Sequence, residues 1–244
     1  MSNREPVDPA LPGARVLIVG VGGLGSPAAM ALAAAGVGSL GLVDPDRVEV
    51  SNLHRQPLYE EDDVGQLKVE AAAERLRHAH PALRVETHAE RFGPTEVGLA
   101  RVFDLVVDGT DTVSAKFVVN DAAVAAGVPL VHAGVLGFRA QMLTVLPGAS
   151  ACYRCVFEEP PPPEETPSCE AAGVLGPAVA LAGTLVAAEA LRILSGQRAA
   201  FADRLLAMDL RAGTWRTVPV ARNPACTVCG TEPAGRAARR SEAR

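Results

Sequence analysis

The sequence predicts an α/β fold, a doubly wound, mostly parallel sheet with an antiparallel edge addition. Three observations carry that expectation. The stretch Val16–Pro27, VLIVGVGGLGSP, runs from an apolar β-branched strand through glycines straight into an Ala-rich helix. Apolar strands and helical segments then alternate as far as about residue 133, the pattern of crossover connections between parallel strands. Beyond that, Phe138–Leu146 alternates apolar and polar residues like a strand turning back antiparallel.

Each element follows in order. The first strand meets Gly20, Gly22, Gly23 and Gly25, and a helix spans about Leu24–Ala35. A second strand, Leu40–Val43, ends in Asp44, and an irregular polar segment follows it. A helix from about Gln66 to His80 is closed by Pro81, and Leu83–His88 alternates like a strand. Asp104–Val107 is the next apolar strand and ends in DGTDT. Ser114–Ala126 reads as a helix and Pro129–Ala133 as a strand, which completes the Rossmann-like part. Cys152–Cys155 is expected in a loop, and the proline-rich run EEPPPPEETPSCE crosses to a long helix, about Val174–Leu194. Leu205–Asp209 and Thr214–Val218 form a hairpin across Arg211–Gly213. A single domain over 14–230 is expected. Its nucleotide-binding half covers about 14–135 and its antiparallel, metal- and carrier-binding half about 136–230. An extended or disordered N-terminus (1–13) and a flexible tail (231–244) flank it.

Composition narrows the function. The 244 residues suffice for a real core, and a formal net charge of -5 speaks against a general nucleic-acid surface. The only basic run is the tail around Arg236, Arg239, Arg240 and Arg244. MSNREPVDPALPG has no apolar centre of the signal-peptide kind, so a cytoplasmic protein is expected. Ala171–Ala188 is uncharged, but Pro177 interrupts it and Glu189 and Arg192 follow at once, so it reads as a core helix and no membrane partner is expected. Of the 23 basic residues only two, Lys68 and Lys116, are lysines.

The chemistry gathers at one sheet edge. Glycines let a polyphosphate approach the backbone, and the helix behind them aims free N–H groups at it. A tight turn without a ligand would use the same glycines. Asp44, about 20 residues on, is placed to accept ribose hydroxyls and favours a nucleotide. Asn52, Arg55, Gln56 and Lys68 follow, and the cations among them suit charge building on a leaving pyrophosphate. Asp108 and Asp111 end the fourth strand, and either could hold Mg²⁺ beside phosphates. Five cysteines in a cytoplasmic chain suggest metal or catalysis. Cys152 and Cys155, with Cys226 and Cys229 about 70 residues on, form two CxxC pairs that together would complete a structural zinc site; two unrelated pairs, one of them redox-active, would show the same motifs. Neither pair is expected to open a helix. Cys169 is the odd thiol, a candidate nucleophile just ahead of a helix.

In order, GVGGLG (Gly20–Gly25), DPD (Asp44–Asp46), SNLHRQ (Ser51–Gln56), VGQLK ending at Lys68, DGTDT around Asp111, CYRC, CEAAGVLGP and a final CxxC resemble the ThiF/MoeB family, relatives of ubiquitin-activating enzymes. The resemblance covers roughly residues 14–230. It implies a homodimer that uses Mg-ATP to adenylate the C-terminal glycine carboxylate of a small ubiquitin-like sulfur-carrier protein ending in Gly-Gly, releasing pyrophosphate. Gly23 and its neighbours would lie against ATP, Asp44 would bind the ribose, and Asn52, Arg55 and Lys68 would contact phosphates. Asp111 would hold magnesium, the four paired cysteines zinc, and Cys169 would match a cysteine that links covalently to the carrier. Asp46, Ser51, Gln56 and Thr112 lie in the same motifs and complete the expected nucleotide set.

Three departures accompany the resemblance. The family's arginine motif ahead of the first strand is not found, and Thr112 and Lys116 stand where Asn and Arg are common. No rhodanese-like region follows the last CxxC, so a separate sulfur donor is expected. Two alternatives share the glycine string: a nicotinamide-dependent oxidoreductase, and a carrier-binding scaffold without turnover.

Overall fold

The computed structural model of the protein describes residues 8–162 and 173–231. Eight strands form one sheet: β1 (Arg15–Val19), β2 (Ser39–Val43), β3 (Arg84–His88), β4 (Leu105–Asp108), β5 (Leu130–Leu136), β6 (Arg139–Val145), β7 (Arg204–Asp209) and β8 (Thr214–Pro219). Their order is β3-β2-β1-β4-β5-β6-β7-β8. The first five pair in parallel and the last three are added antiparallel. The expected doubly wound sheet with an antiparallel edge is what the chain forms.

Parallel strands are covered on both faces, so β1 is apolar throughout rather than alternating. Val16 and Ile18 pack into one core layer with α1 (Gly25–Ala34), α2 (Lys68–Ala79) and residues of a long C-terminal helix. Leu17 and Val19 pack into the other with Phe103, Val119 and Ala123. That second face is covered by a four-residue helix, α3 (Val97–Ala100), which the sequence reading lacked, and by α4 (Val113–Ala126). The strand order reverses between β1 and β4, and the crevice outside their carboxyl ends is where such sheets bind ligands.

Two boundaries differ from expectation. β5 runs on to Leu136, because its last residues pair with β6 and the chain reverses at Gly137, which has φ 58°. The CYRC pair is no loop: Cys152 is the N-cap of a one-turn helix, α5 (Tyr153–Phe157). That turn is docked on α4 by the Tyr153 N–H donating to Asn120 Oδ1 (2.9 Å), an Arg154–Asp121 ion pair (2.8 Å), and the Arg154 guanidinium over Phe117.

The long apolar helix is α6 (Gly176–Leu194), with Pro177 in its first turn, where the missing N–H costs nothing. Its length and hydropathy are those of a membrane span, yet it packs on α1, β5 and β6. Its Glu189 is buried, accepting from Thr144 Oγ1 (2.8 Å) and the Phe201 N–H (3.0 Å).

Candidate functional site

A cavity of about 250 Å³ opens at the switch point. Gly20, Gly22 and Gly23 line it, with Asp44, Asp46, Arg55, Gln56 and Lys68 on one side and Gly109–Thr112 and Lys116 on the other. The glycines divide by role. A Cβ on Gly25 would overlap the Gly20 carbonyl oxygen, and Gly20 itself (φ 86°) has room for none, since Gly109 lies 2.8 Å from where it would stand. Those two serve the close passage of strand, loop and helix. A Cβ on Gly22 would meet only Gln56 Nε2, at 3.5 Å, so the surrounding protein leaves that space open toward the cavity. No side chain caps the first turn of α1, where the Ser26 N–H donates to the Gly22 carbonyl (2.9 Å) and Pro27 has no N–H to offer.

Asp44 is buried, and its two oxygens accept the N–H groups of Val21 (2.8 Å) and Asp46 (2.9 Å), which folds the β2 loop against the glycine loop. Burial pushes its carboxyl above the ordinary value, opposed by the Lys68 ammonium and those two N–H groups. Lys68, the first residue of α2, is buried along its stem and pairs with Asp46 at 2.9 Å. Arg55 Nη1 donates to the Ser51 carbonyl (2.9 Å). Gln56 is buried, and its Oε1 has no hydrogen-bond partner among the described residues, leaving an acceptor beside the glycines.

Several expected residues stand elsewhere. Ser51 and Asn52 hydrogen-bond each other at 3.1 Å and do not line the cavity. Thr112 lines it while also capping α4, its side chain accepting the Ala115 N–H at 3.3 Å. Asp111 is exposed on the cavity wall. Asp108 is not available to a metal, which corrects the expectation that either aspartate could serve. It is wholly buried, with Oδ1 accepting the Thr110 N–H (2.9 Å) and Oγ1 (2.6 Å) and Oδ2 bonded to His132 Nδ1 (2.6 Å). Lys116 Nζ stands 3.6 Å from the same carboxylate. Burial pushes the Asp108 carboxyl up, but Lys116, His132 and the hydrogen bonds together hold it well below the usual range. Burial and then Lys116 push the His132 imidazole down. Sequence reasoning missed His132. Its only signal is a histidine in an apolar strand, and register is needed to set it opposite Asp108.

The four paired cysteines converge across the antiparallel end of the fold. Their Sγ atoms all lie within 4.8 Å of one another, with Cys155–Cys229 at 3.3 Å, Cys152–Cys226 at 3.7 Å and Cys152–Cys155 at 3.9 Å. Sulfurs around a tetrahedral zinc with bonds of about 2.3 Å stand about 3.8 Å apart, so the cluster fits such an ion. The Asn223 N–H donates to Cys155 Sγ at 3.3 Å, as expected of a donor set that carries negative charge. Burial pushes the Cys152 and Cys155 thiols up, and at Cys226 the N–H groups of Cys229 and Val228 outweigh burial and bring the thiol down. Cys169 lies outside the described residues.

Comparison with known proteins gives consistent matches. The ThiF family profile matches residues 8–228. A sulfur carrier protein adenylyltransferase of Thermus thermophilus is 45% identical over 229 residues, which is 91% of this chain and 84% of that protein. The adenylyltransferase and sulfurtransferase MOCS3 of Sus scrofa is 46% identical over 222 residues, 90% of this chain but 49% of that protein. The chain therefore spans about half the length of the MOCS3 relatives. Among solved structures, Escherichia coli MccB with ATP superposes with a TM-score of 0.81 at 25% identity, covering 92% of this chain and 69% of that one. MccB in complex with N-formylated MccA superposes at 0.82, also at 25% identity, over 92% of this chain and 70% of that one.

Proposed function

The chain belongs to the ThiF family, and from that premise we propose that it adenylates the C-terminal glycine carboxylate of a small ubiquitin-like sulfur-carrier protein with ATP. The observation that carries the reading is the meeting, in one cavity at the switch point, of an open glycine loop, Asp44, Arg55, Lys68 and Asp111. Its relatives are named for the same chemistry.

In the proposed reaction a carboxylate oxygen of the carrier attacks the α-phosphorus of ATP. A new O–P bond forms, the bond from that phosphorus to the bridging oxygen breaks, and pyrophosphate leaves with the electron pair. The nucleophile is already ionised at neutral pH, so no general base is required. Both reactants are anions, so the protein's task is positioning and charge neutralisation. The amides around Gly22 and Gly23 would hold the polyphosphate, Asp44 would accept the ribose hydroxyls, and Arg55 and Lys68 would meet the charge of the leaving group. Bound at Asp111, Mg²⁺ would neutralise phosphate oxygens. Zinc on the four cysteines would fasten the residues around Cys226 to α5.

The remaining parts of the reading are a cytoplasmic homodimer, a separate sulfur donor, and a later covalent role for Cys169. Carrier-dependent exchange of labelled pyrophosphate into ATP tests the whole reading. Exchange with a Gly-Gly-terminated carrier, lost in Asp111→Ala, is expected. Folded, metal-loaded protein that exchanges with none of a panel of such carriers would refute turnover and leave a scaffold.

A further inference from the structure

Three titratable side chains are buried at the cavity, Lys116 on its wall and Asp108 and His132 behind it, and the proposed reaction uses none of them directly. Asp108 and His132 have no exposed surface, and Lys116 is 6% exposed. A buried ion pair is weak evidence for stability, because desolvation offsets its attraction, so its retention calls for another use. The use is visible in what the three groups hold. Asp108 accepts both the N–H and the hydroxyl of Thr110, and Lys116 Nζ donates to the Thr110 carbonyl (2.6 Å) and to that of Ala133 (2.7 Å). Every polar group of Thr110 is therefore fixed, and the next residue is Asp111. On the far side Thr112 is fixed as the α4 cap. The same loop interlocks with the glycine loop, since Gly109 N–H donates to Val19 (2.8 Å) and its backbone fills the space beside Gly20.

We propose that Lys116, acting with the Asp108–His132 pair, is a positioning residue that sets the Asp111 carboxylate, and with it the site for the divalent cation, against the glycine loop. His132 meets the Tyr153 ring at a tilt of 49° with centroids 4.4 Å apart, so α5 packs against the cluster. The inference rests on the reading of Asp111 as the magnesium residue. Removing a hydrogen-bond partner behind a metal ligand typically costs ten- to a hundredfold in metal affinity.

The test titrates Mg²⁺ against the full-length protein at a fixed concentration of a fluorescent ATP analogue, beside the same nucleotide in EDTA. Lys116→Met and Thr110→Val are expected to raise the Mg²⁺ midpoint about tenfold or more. Lys116→Arg, which keeps a donor and a charge, should recover most of the midpoint. A general loss of packing would lower the melting temperature without moving the midpoint. Folded variants with midpoints within twofold of the wild type overturn the proposal. If Lys116→Met does not fold, Thr110→Val, which deletes one hydroxyl and no charge, decides alone. A wild type whose nucleotide binding ignores Mg²⁺ refutes the underlying magnesium reading, and the positioning role falls with it.

Discussion

Replacing Gly22 and Gly25 separately by alanine distinguishes a ligand-binding loop from a mere turn. In Gly25→Ala the new methyl collides with the Gly20 carbonyl, and Gly20 is itself pinned against Gly109. Overpacking of this kind costs about 1–3 kcal/mol. For a chain of this size that corresponds to a fall in Tm of about 2–12 °C. In Gly22→Ala the methyl enters space bounded only by Gln56 Nε2 at 3.5 Å, and Gly22 has no positive φ. Such a Gly→Ala change stabilises by about 0.4–1 kcal/mol through the unfolded chain, a rise of about 1–4 °C. If polyphosphate rests on that backbone, the methyl displaces it and costs at least one hydrogen bond to a charged group, about 1.5–3 kcal/mol. ATP affinity should then fall roughly 10- to 150-fold. Thermal melting and equilibrium ATP binding measure both. A Gly22→Ala protein that folds and binds ATP within twofold of the wild type would refute the cradle, leaving these glycines only the turn.

Further outcomes follow from the same geometry. Metal analysis of the purified protein should find about one zinc per chain, and Cys226→Ser or a strong chelator should lower Tm by several degrees, because metal bound only in the folded state contributes directly to stability. Zinc-free protein that melts like the wild type would leave the cluster as packed thiols. His132 titrates below its ordinary value in the folded chain, so between that value and the unfolded one, near pH 6.5, the unfolded state binds more protons and stability rises with pH. Urea unfolding should therefore show stability declining below about pH 6.5 by up to about 1.4 kcal/mol per pH unit from this residue. His132→Gln should flatten that slope, and an unchanged slope would assign it elsewhere. In pyrophosphate exchange, Lys68→Met should lower the rate about 10²–10³-fold, the usual loss for one group stabilising developing charge, and a change under threefold would remove it from the site.

What could be read from the sequence was set by local signals. The glycine string, the apolar strands and the CxxC spacing each depend on residues close in the chain, so the sheet and the four-cysteine cluster were legible. Asp44 was legible too, because the offset from glycine loop to acidic residue is a fixed feature of one βαβ unit. Asp108 and Asp111 could not be told apart, since both end the same polar run. Burial separates them: Asp108 is the last residue of β4, its side chain turned into the core, while Asp111 lies beyond the turn that Asp108 itself organises. His132 was invisible because its role depends on parallel register between β4 and β5. The same holds for Cys152 as a helix cap, which depends on Asn120 and Asp121 of α4 receiving the turn. Ser51 and Asn52 lie in the same motif, but here Asn52 Nδ2 donates to Ser51 Oγ and neither residue is among those lining the cavity, a placement that depends on how the irregular segment after β2 folds back.

The charge pattern of the cavity links these points. Its lining carries Arg55, Lys68, Arg91 and Lys116 against Asp44, Asp46, Glu90 and Asp111, so it has no formal excess of positive charge. Lys68 is engaged by Asp46, and Lys116 by Thr110, Ala133 and Asp108. A bare triphosphate entering such a site gains little net attraction, since four carboxylates in the lining balance its four cations. A divalent cation changes the balance, because it turns Asp111 from a repelling group into a ligand shared with phosphate. The Asp46 carboxylate is exposed, so it can swing away and yield the Lys68 ammonium to a phosphate. Asp108 cannot yield in this way, being wholly buried and bonded on both oxygens. The two lysines of this arginine-rich chain thus stand in opposite states: Lys68 behind a partner that can be displaced, Lys116 behind partners that cannot. That difference separates a residue suited to meet substrate charge from one suited to hold the loop where the charge is met.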